Sequence, residues 1–137
     1  MIISEIIVGE IMKKLVVDLD GTLTQANTSD YKNVLPREDV IGQLRQYQKQ
    51  GFSIVIATAR NMRTYEGNVG KINIHTLPII IAWLDTHKVP YDEIIVGKPW
   101  CGKEGFYIDD RAIRPSEFAN LSFSEITQLL EEEAKCS

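Results

Sequence analysis

Four short apolar runs, each ending in polar chemistry, limit what this chain can fold into more than any other feature. They occupy 15–19, 52–59, 93–97 and 105–110 and are rich in β-branched residues. None alternates cleanly between polar and apolar positions. Near-continuous apolar strands suit a parallel sheet with both faces covered, not a sheet with one wet side.

Helical patterns lie between these runs. Residues 36–50 put Val40, Ile41, Leu44 and Tyr47 on one face, with Pro36 near the start and Gly51 just past the end. Residues 76–88 repeat the pattern with Ile80, Trp83, Leu84 and His87, and Pro90 follows. Ser122 and Glu125 have capping-box spacing, which predicts a last helix with Ile126, Leu129 and Leu130 inward. Strand, helix, strand, helix, strand, strand, helix is an α/β plan: a Rossmann-like three-layer sandwich with a mainly parallel sheet. At 137 residues, 44% of them hydrophobic, the chain can build one core but not two independent domains. We read 12–137 as that single domain and 1–11 as an N-terminal extension, since Met12 could itself be a translation start. The irregular stretches are 23–35, 60–75 and 111–121, and loops of this length in a compact domain are often functional.

Composition removes several classes of function. With 19 acidic and 15 basic residues the formal net charge is −4, so no general attraction to nucleic acid or anionic membrane is expected. No apolar run approaches the ~20 residues that span a bilayer. The first residues carry Glu5 and Glu10 and lack the basic start of a secretory signal. Cys101 and Cys136 have no metal-type spacing and read as free thiols. The expectation is a cytoplasmic protein.

The polar residues fall where the strands end. The first run delivers Asp18 and Asp20, the second Thr58, Ala59 and Arg60, the third Gly97 and Lys98, the fourth Asp109, Asp110 and Arg111. In parallel α/β sheets ligands bind beyond the carboxyl ends of the strands. If the four runs are parallel neighbours, these groups meet in one crevice. Carboxylates crowded together raise one another's pKa, and a divalent cation removes the conflict. Hard oxygen donors without nearby His or Cys favour Mg²⁺ over zinc. With Lys98 added, the cluster reads as a cradle for a metal and an anionic group, most naturally a phosphate.

These segments resemble the four motifs of the haloacid dehalogenase-like superfamily, in its phosphatase branch. "DLDGT" is similar to the first motif, "IVIATAR" to the second, Lys98 to the third and "YIDD" to the fourth. More narrowly, "DLDGTLTQANTSDYKNVLP", "TARNMRTYEGNVGKINIHT" and "VGKPWCGKEGFYIDDRAIRPSEF" resemble the small phosphatases associated with bacterial capsule polysaccharide biosynthesis. The resemblance implies that Asp18 attacks phosphorus and forms an aspartyl-phosphate, while Asp20 protonates the leaving oxygen and then activates water. It implies catalytic roles for Thr58 and Lys98, and Mg²⁺ held by Asp18, the carbonyl of Asp20 and Asp109, with Asp110 either a ligand through water or a partner to Lys98. Phosphate or substrate contacts would come from Leu19, Gly21, Thr58, Ala59, Arg60, Lys98 and Arg111.

Simpler readings stand beside these. Asp18 and Asp20 alone could form a solvated turn, Asp109 and Asp110 could cap one, and Lys98 could be a surface lysine. Arg60 and Arg111 are open between substrate contact and structural ion pair. Arg63, Tyr65 and Lys71 face either substrate or solvent. His75 is read as a loop residue and His87 as a helix-end residue, Trp83 as core, and Trp100 as packing rather than a pocket wall.

Asp18, Thr58 and Lys98 are spaced 40 residues apart, and each interval must already supply a helix, so no cap domain fits. An open site needs a large substrate, such as a phosphorylated saccharide, or a lid from a second copy in a homo-oligomer. A nucleotide or nucleic-acid end phosphatase is the alternative enzyme, although no aromatic and basic stacking platform is evident. A non-catalytic binding module of the same fold is the alternative class, and it would not need Asp18 and Asp20 together.

Overall fold

The computed structural model describes residues 13–25 and 29–136. The extension read over 1–11 lies outside them, as does part of the stretch 23–35. The chain divides into two compact units, one ending at Pro99 and one beginning at Trp100.

The first unit is a three-stranded parallel sheet with its connecting helices. Strands β1 (Lys14–Val17), β2 (Ser53–Thr58) and β3 (Glu93–Val96) lie in the order β1-β2-β3. The register pairs Leu15 with Ile54 and Val17 with Ile56, then Ile56 with Ile94 and Thr58 with Val96. These residues share one face, and on it Ile54 and Ile56 are fully buried. Helix α1 (Glu38–Lys49) joins β1 to β2 and buries Val40, Ile41, Leu44 and Tyr47, the four positions its periodicity singles out. Glu38 and Asp39 in its first turn and Lys49 in its last suit the helix dipole. Gly51, with φ +94°, turns the chain into β2.

The connection from β2 to β3 differs from expectation. The sequence suggests a loop over 60–75 and one helix over 76–88. Instead there are two helices, α2 (Val69–His75) and α3 (Leu77–Thr86). Asn68 caps α2, its side chain accepting the Lys71 amide at 3.1 Å, and Pro78 falls in the first turn of α3, where the missing N–H is harmless. His75 therefore ends a helix and stacks on Tyr65 rather than sitting in a loop. Helix α3 buries Ile80, Trp83 and Leu84, and the Trp83 indole donates to the Val34 carbonyl at 2.8 Å. Arg45 on α1 donates to the carbonyls of His87 and Lys88 just past α3, tying the two helices together.

The second unit holds α4 (Pro115–Asn120) and α5 (Phe123–Lys135). Ser122 and Glu125 form the capping box that their spacing predicts. On α5 Ile126 is buried, but Leu129 is exposed, which corrects its inward assignment. The strand expected over 105–110 is not formed. That stretch follows a turn at 102–104 and makes no ladder pairs among the described residues, and Phe106, Tyr107 and Ile108 are exposed. Apolar, β-branched composition favours extended backbone, but a strand exists only where a neighbour completes its hydrogen bonds. Gly105 is required here, because a Cβ would fall 2.1 Å from the Cys101 carbonyl oxygen. Among the described residues no helix is long and apolar enough to cross a membrane.

Candidate active site

The site in the first unit starts at the end of β1. Leu19 is buried, at 1% exposure, so the alternation of the chain turns Asp18 and Asp20 together away from the core. The Leu19 carbonyl then accepts the amides of Thr22, Leu23 and Thr24, at 3.2, 2.9 and 3.2 Å. This tight turn needs the positive φ of Gly21, +81°, which glycine adopts without strain. The Gly21 amide donates to Thr24 Oγ1 at 3.0 Å, and Leu23 and Thr24 are fully buried. The two carboxylates thus stand on a turn fastened from below.

They have different partners. Asp18 Oδ2 accepts the Thr22 hydroxyl at 3.0 Å, and Asp18 Oδ1 faces Lys98 Nζ at 3.4 Å, an ion pair rather than a tight hydrogen bond. Asp20 is gripped by Arg60: Nε donates to Oδ2 at 3.1 Å and Nη2 to Oδ1 at 2.7 Å. The Arg60 side chain is 1% exposed and that of Asp20 28%. Tyr31 lays its ring 4.0 Å from the guanidinium carbon. Arg60 Nη1 is buried without a hydrogen-bond partner among the described residues.

Strands β2 and β3 supply the rest. Thr58, the last residue of β2, is buried, and its Oγ1 accepts the Arg60 amide at 3.1 Å. A hydroxyl that accepts one bond can still donate its proton. The Ala59 carbonyl accepts the Met62 amide at 3.0 Å, which opens the turn after β2. Lys98 follows β3, and its backbone amide donates to the Thr58 carbonyl at 3.1 Å, so the ends of β2 and β3 stay in register beyond the strands. Gly97 precedes it with φ +87°, and a Cβ there would meet Val69 Cγ2 at 2.9 Å. The start of α2 therefore packs directly against the backbone that carries Lys98.

Asp18, Asp20, Thr58, Arg60 and Lys98 accordingly belong to one unit, at the carboxyl ends of three parallel strands. Asp109, Asp110 and Arg111 belong to the second unit, where all three are exposed and the Arg111 amide donates to Asp109 Oδ1 at 2.7 Å. Within neither unit, among the described residues, do three or more His, Cys, Asp or Glu side chains form a group able to hold a metal ion. Trp100 is 46% exposed. The sequence did not single out Thr22, Thr24 or Tyr31. The two threonines follow a strand-ending Asp-x-Asp-Gly, where short hydroxyls commonly bond nearby backbone and carboxylates. Tyr31 is marked in the sequence only as part of the irregular stretch 23–35.

Residues 15–83 match the haloacid dehalogenase-like hydrolases, and the chain belongs to that family. It is 79% identical to a structural-genomics target from Vibrio cholerae whose crystal structure covers 89% of this chain and 99% of its own, with a TM-score of 0.88. A Pnkp1/Rnl/Hen1 complex aligns over 80% of this chain and 35% of that one, at 21% identity and a TM-score of 0.45. No curated protein matches.

Proposed function

We propose that the chain is a Mg²⁺-dependent phosphomonoesterase that works through an aspartyl-phosphate. One observation supports this most directly: the division of labour between the two acids. Asp18 has a cation and a hydroxyl on separate oxygens and 38% of its side chain exposed, as an attacking group at a rim needs. Asp20 stands beside it on the same turn, with its carboxylate held in one orientation.

In this reading Asp18 attacks phosphorus in line while the proton of Asp20 passes to the leaving oxygen. Water then surrenders a proton to Asp20 as its oxygen displaces Asp18. Lys98 neutralises charge that develops on the phosphoryl oxygens, and the Thr58 hydroxyl turns its proton to one of them. The donors suit a hard cation, since carboxylate and carbonyl oxygens dominate and no His or Cys is among them. Of the residues in the first unit, Asp18 and the Asp20 carbonyl would hold Mg²⁺. The ion would add positive charge beside the transferring group. Contacts to phosphate or substrate would come from Leu19, Gly21 and Ala59 as well.

The substrate we infer is a phosphorylated sugar or related intermediate of capsule or surface polysaccharide biosynthesis, supported by the sequence resemblance. No cap domain is inserted between Asp18 and Lys98, so a large saccharide or a second copy would cover the site. A screen of sugar phosphates, glycerol phosphate, nucleotides and phosphorylated DNA ends, with and without Mg²⁺, tests this. Release of inorganic phosphate from sugar esters only with Mg²⁺ is expected. Preference for nucleotides or DNA ends would replace the substrate class, and no release from any ester would remove the enzymatic reading. A monomer on gel filtration with full activity on a small sugar phosphate would dismiss the lid from a second copy.

A further inference from the structure

We propose that Arg60 is a positioning residue for Asp20, and that Tyr31 completes its mount. The inference rests on the phosphatase reading above and adds to it the means by which the acid–base carboxylate is aimed.

Here a buried guanidinium, with 1% of its side chain exposed, holds a carboxylate that is 28% exposed at the rim. The grip is bidentate, at 3.1 and 2.7 Å, so the carboxylate can neither rotate about its own axis nor swing away. The holder is itself fixed at two points. Its amide donates to Thr58 Oγ1 at 3.1 Å, and Tyr31 lies 4.0 Å from its Cζ. Leaving Nη1 buried and unpartnered among the described residues opposes folding. A lysine keeps the charge but has no planar fork to align both oxygens.

In the phosphatase reading above, the first half-reaction breaks the Asp20 O–H bond and its proton goes to the ester oxygen. That oxygen keeps the electron pair of the breaking P–O bond, while a lone pair of Asp18 forms the new one. In the second half water gives a proton back to Asp20, its oxygen bonds to phosphorus, and the Asp18–phosphorus bond breaks with its pair returning to Asp18. Both steps need the Asp20 carboxyl aimed at one place, which the two bonds from Arg60 provide.

The test compares two esters. 4-Nitrophenyl phosphate leaves without help from an acid, and a sugar phosphate does not. For Arg60→Gln we expect kcat on the sugar phosphate to fall by about 10²-fold, within the range general acid–base groups supply, with KM nearly unchanged. On 4-nitrophenyl phosphate the first burst of nitrophenolate should persist, followed by a slow steady state, because only the water step still needs Asp20. Arg60→Lys should behave like Arg60→Gln, since it keeps charge and loses the fork. Tyr31→Leu should show the same pattern more weakly, Tyr31→Phe should match wild type, and both serve if Arg60 variants fold poorly. A burst that shrinks in step with kcat on both esters in the Arg60 and Tyr31 variants would reduce the pair to a stability device. A raised KM with unchanged kcat would make Arg60 a substrate contact instead. Wild-type protein that hydrolyses neither ester overturns the phosphatase reading, and this inference with it.

Discussion

The two units differ in how many apolar residues they bury, although both also expose some. In the first, Leu19, Leu23, Ile41, Leu44, Ile54, Ile56, Ile72, Ile80 and Leu84 are at or near zero exposure. In the second, Ile126 is the one buried apolar residue among those described, while Phe106, Tyr107, Ile108 and Phe123 face solvent. Side-chain placement follows this contrast. Asp18, Asp20, Arg60 and Lys98 grow from backbone that is laddered or lies over close-packed core, and each has a side-chain partner. Asp109 and Asp110 grow from an unpaired stretch secured by a local turn. Charges can be aimed where a core fixes the backbone beneath them.

Substitutions can break or sharpen this contrast. Asp18→Asn should have the largest effect, removing Mg²⁺-dependent phosphate release by about 10³-fold or more while leaving the thermal melt unchanged. Persisting turnover in a phosphate-release assay would rule out the covalent route. Leu44→Ala, in the packed unit, should lose about 2–5 kcal/mol by urea titration. Asp20→Ala should lose about 1–2 kcal/mol beyond its effect on turnover, because it strands the buried Arg60 charge. The loss falls below the ~3–5 kcal/mol of a fully buried pair because Asp20 is 28% exposed. Ile108→Ala, at a residue 90% exposed, should stay within about 0.5 kcal/mol. A large loss there would mean that the second unit has more core than its exposures indicate.

The smallest effect concerns pH. The Ser122 amide, and then its hydroxyl, hold the Glu125 carboxyl below its ordinary range. A group lowered in the folded state stabilises it above the unfolded pKa and loses that contribution as pH falls through the folded value. Helicity of α5 should therefore weaken slightly in acid, and Glu125→Gln, which can still accept the Ser122 amide bond, should lack that pH-dependent part. Circular dichroism of both proteins across the acid range checks the sign.

Much of the fold is legible in the sequence where one physical signal suffices. The face of α1 follows from 3.6-residue periodicity, the start of α5 from a capping box, and the three paired strands from apolar runs bounded by turns. Residues 105–110 mislead because composition reports a preference for extended backbone and says nothing of a partner to pair with. Helix α2 is hidden because its seven residues bury only Ile72, too little for a period to show. In the site, Asp18, Asp20, Thr58 and Lys98 are marked by their places at strand ends. The Arg60–Asp20 clamp spans 40 residues and the Tyr31–Arg60 contact 29, and no local pattern encodes either.

Gly97 ties the packing of α2 to charge placement. With Val69 Cγ2 lying 2.9 Å from where a Cβ would project, the first turn of α2 acts as a stop for the backbone bearing the lysine. Substitutions within 61–67 can be made without touching that stop. A bulkier residue at 69, or any side chain at 97, would instead push the Lys98 ammonium away from Asp18 and loosen the ion pair that stands at 3.4 Å.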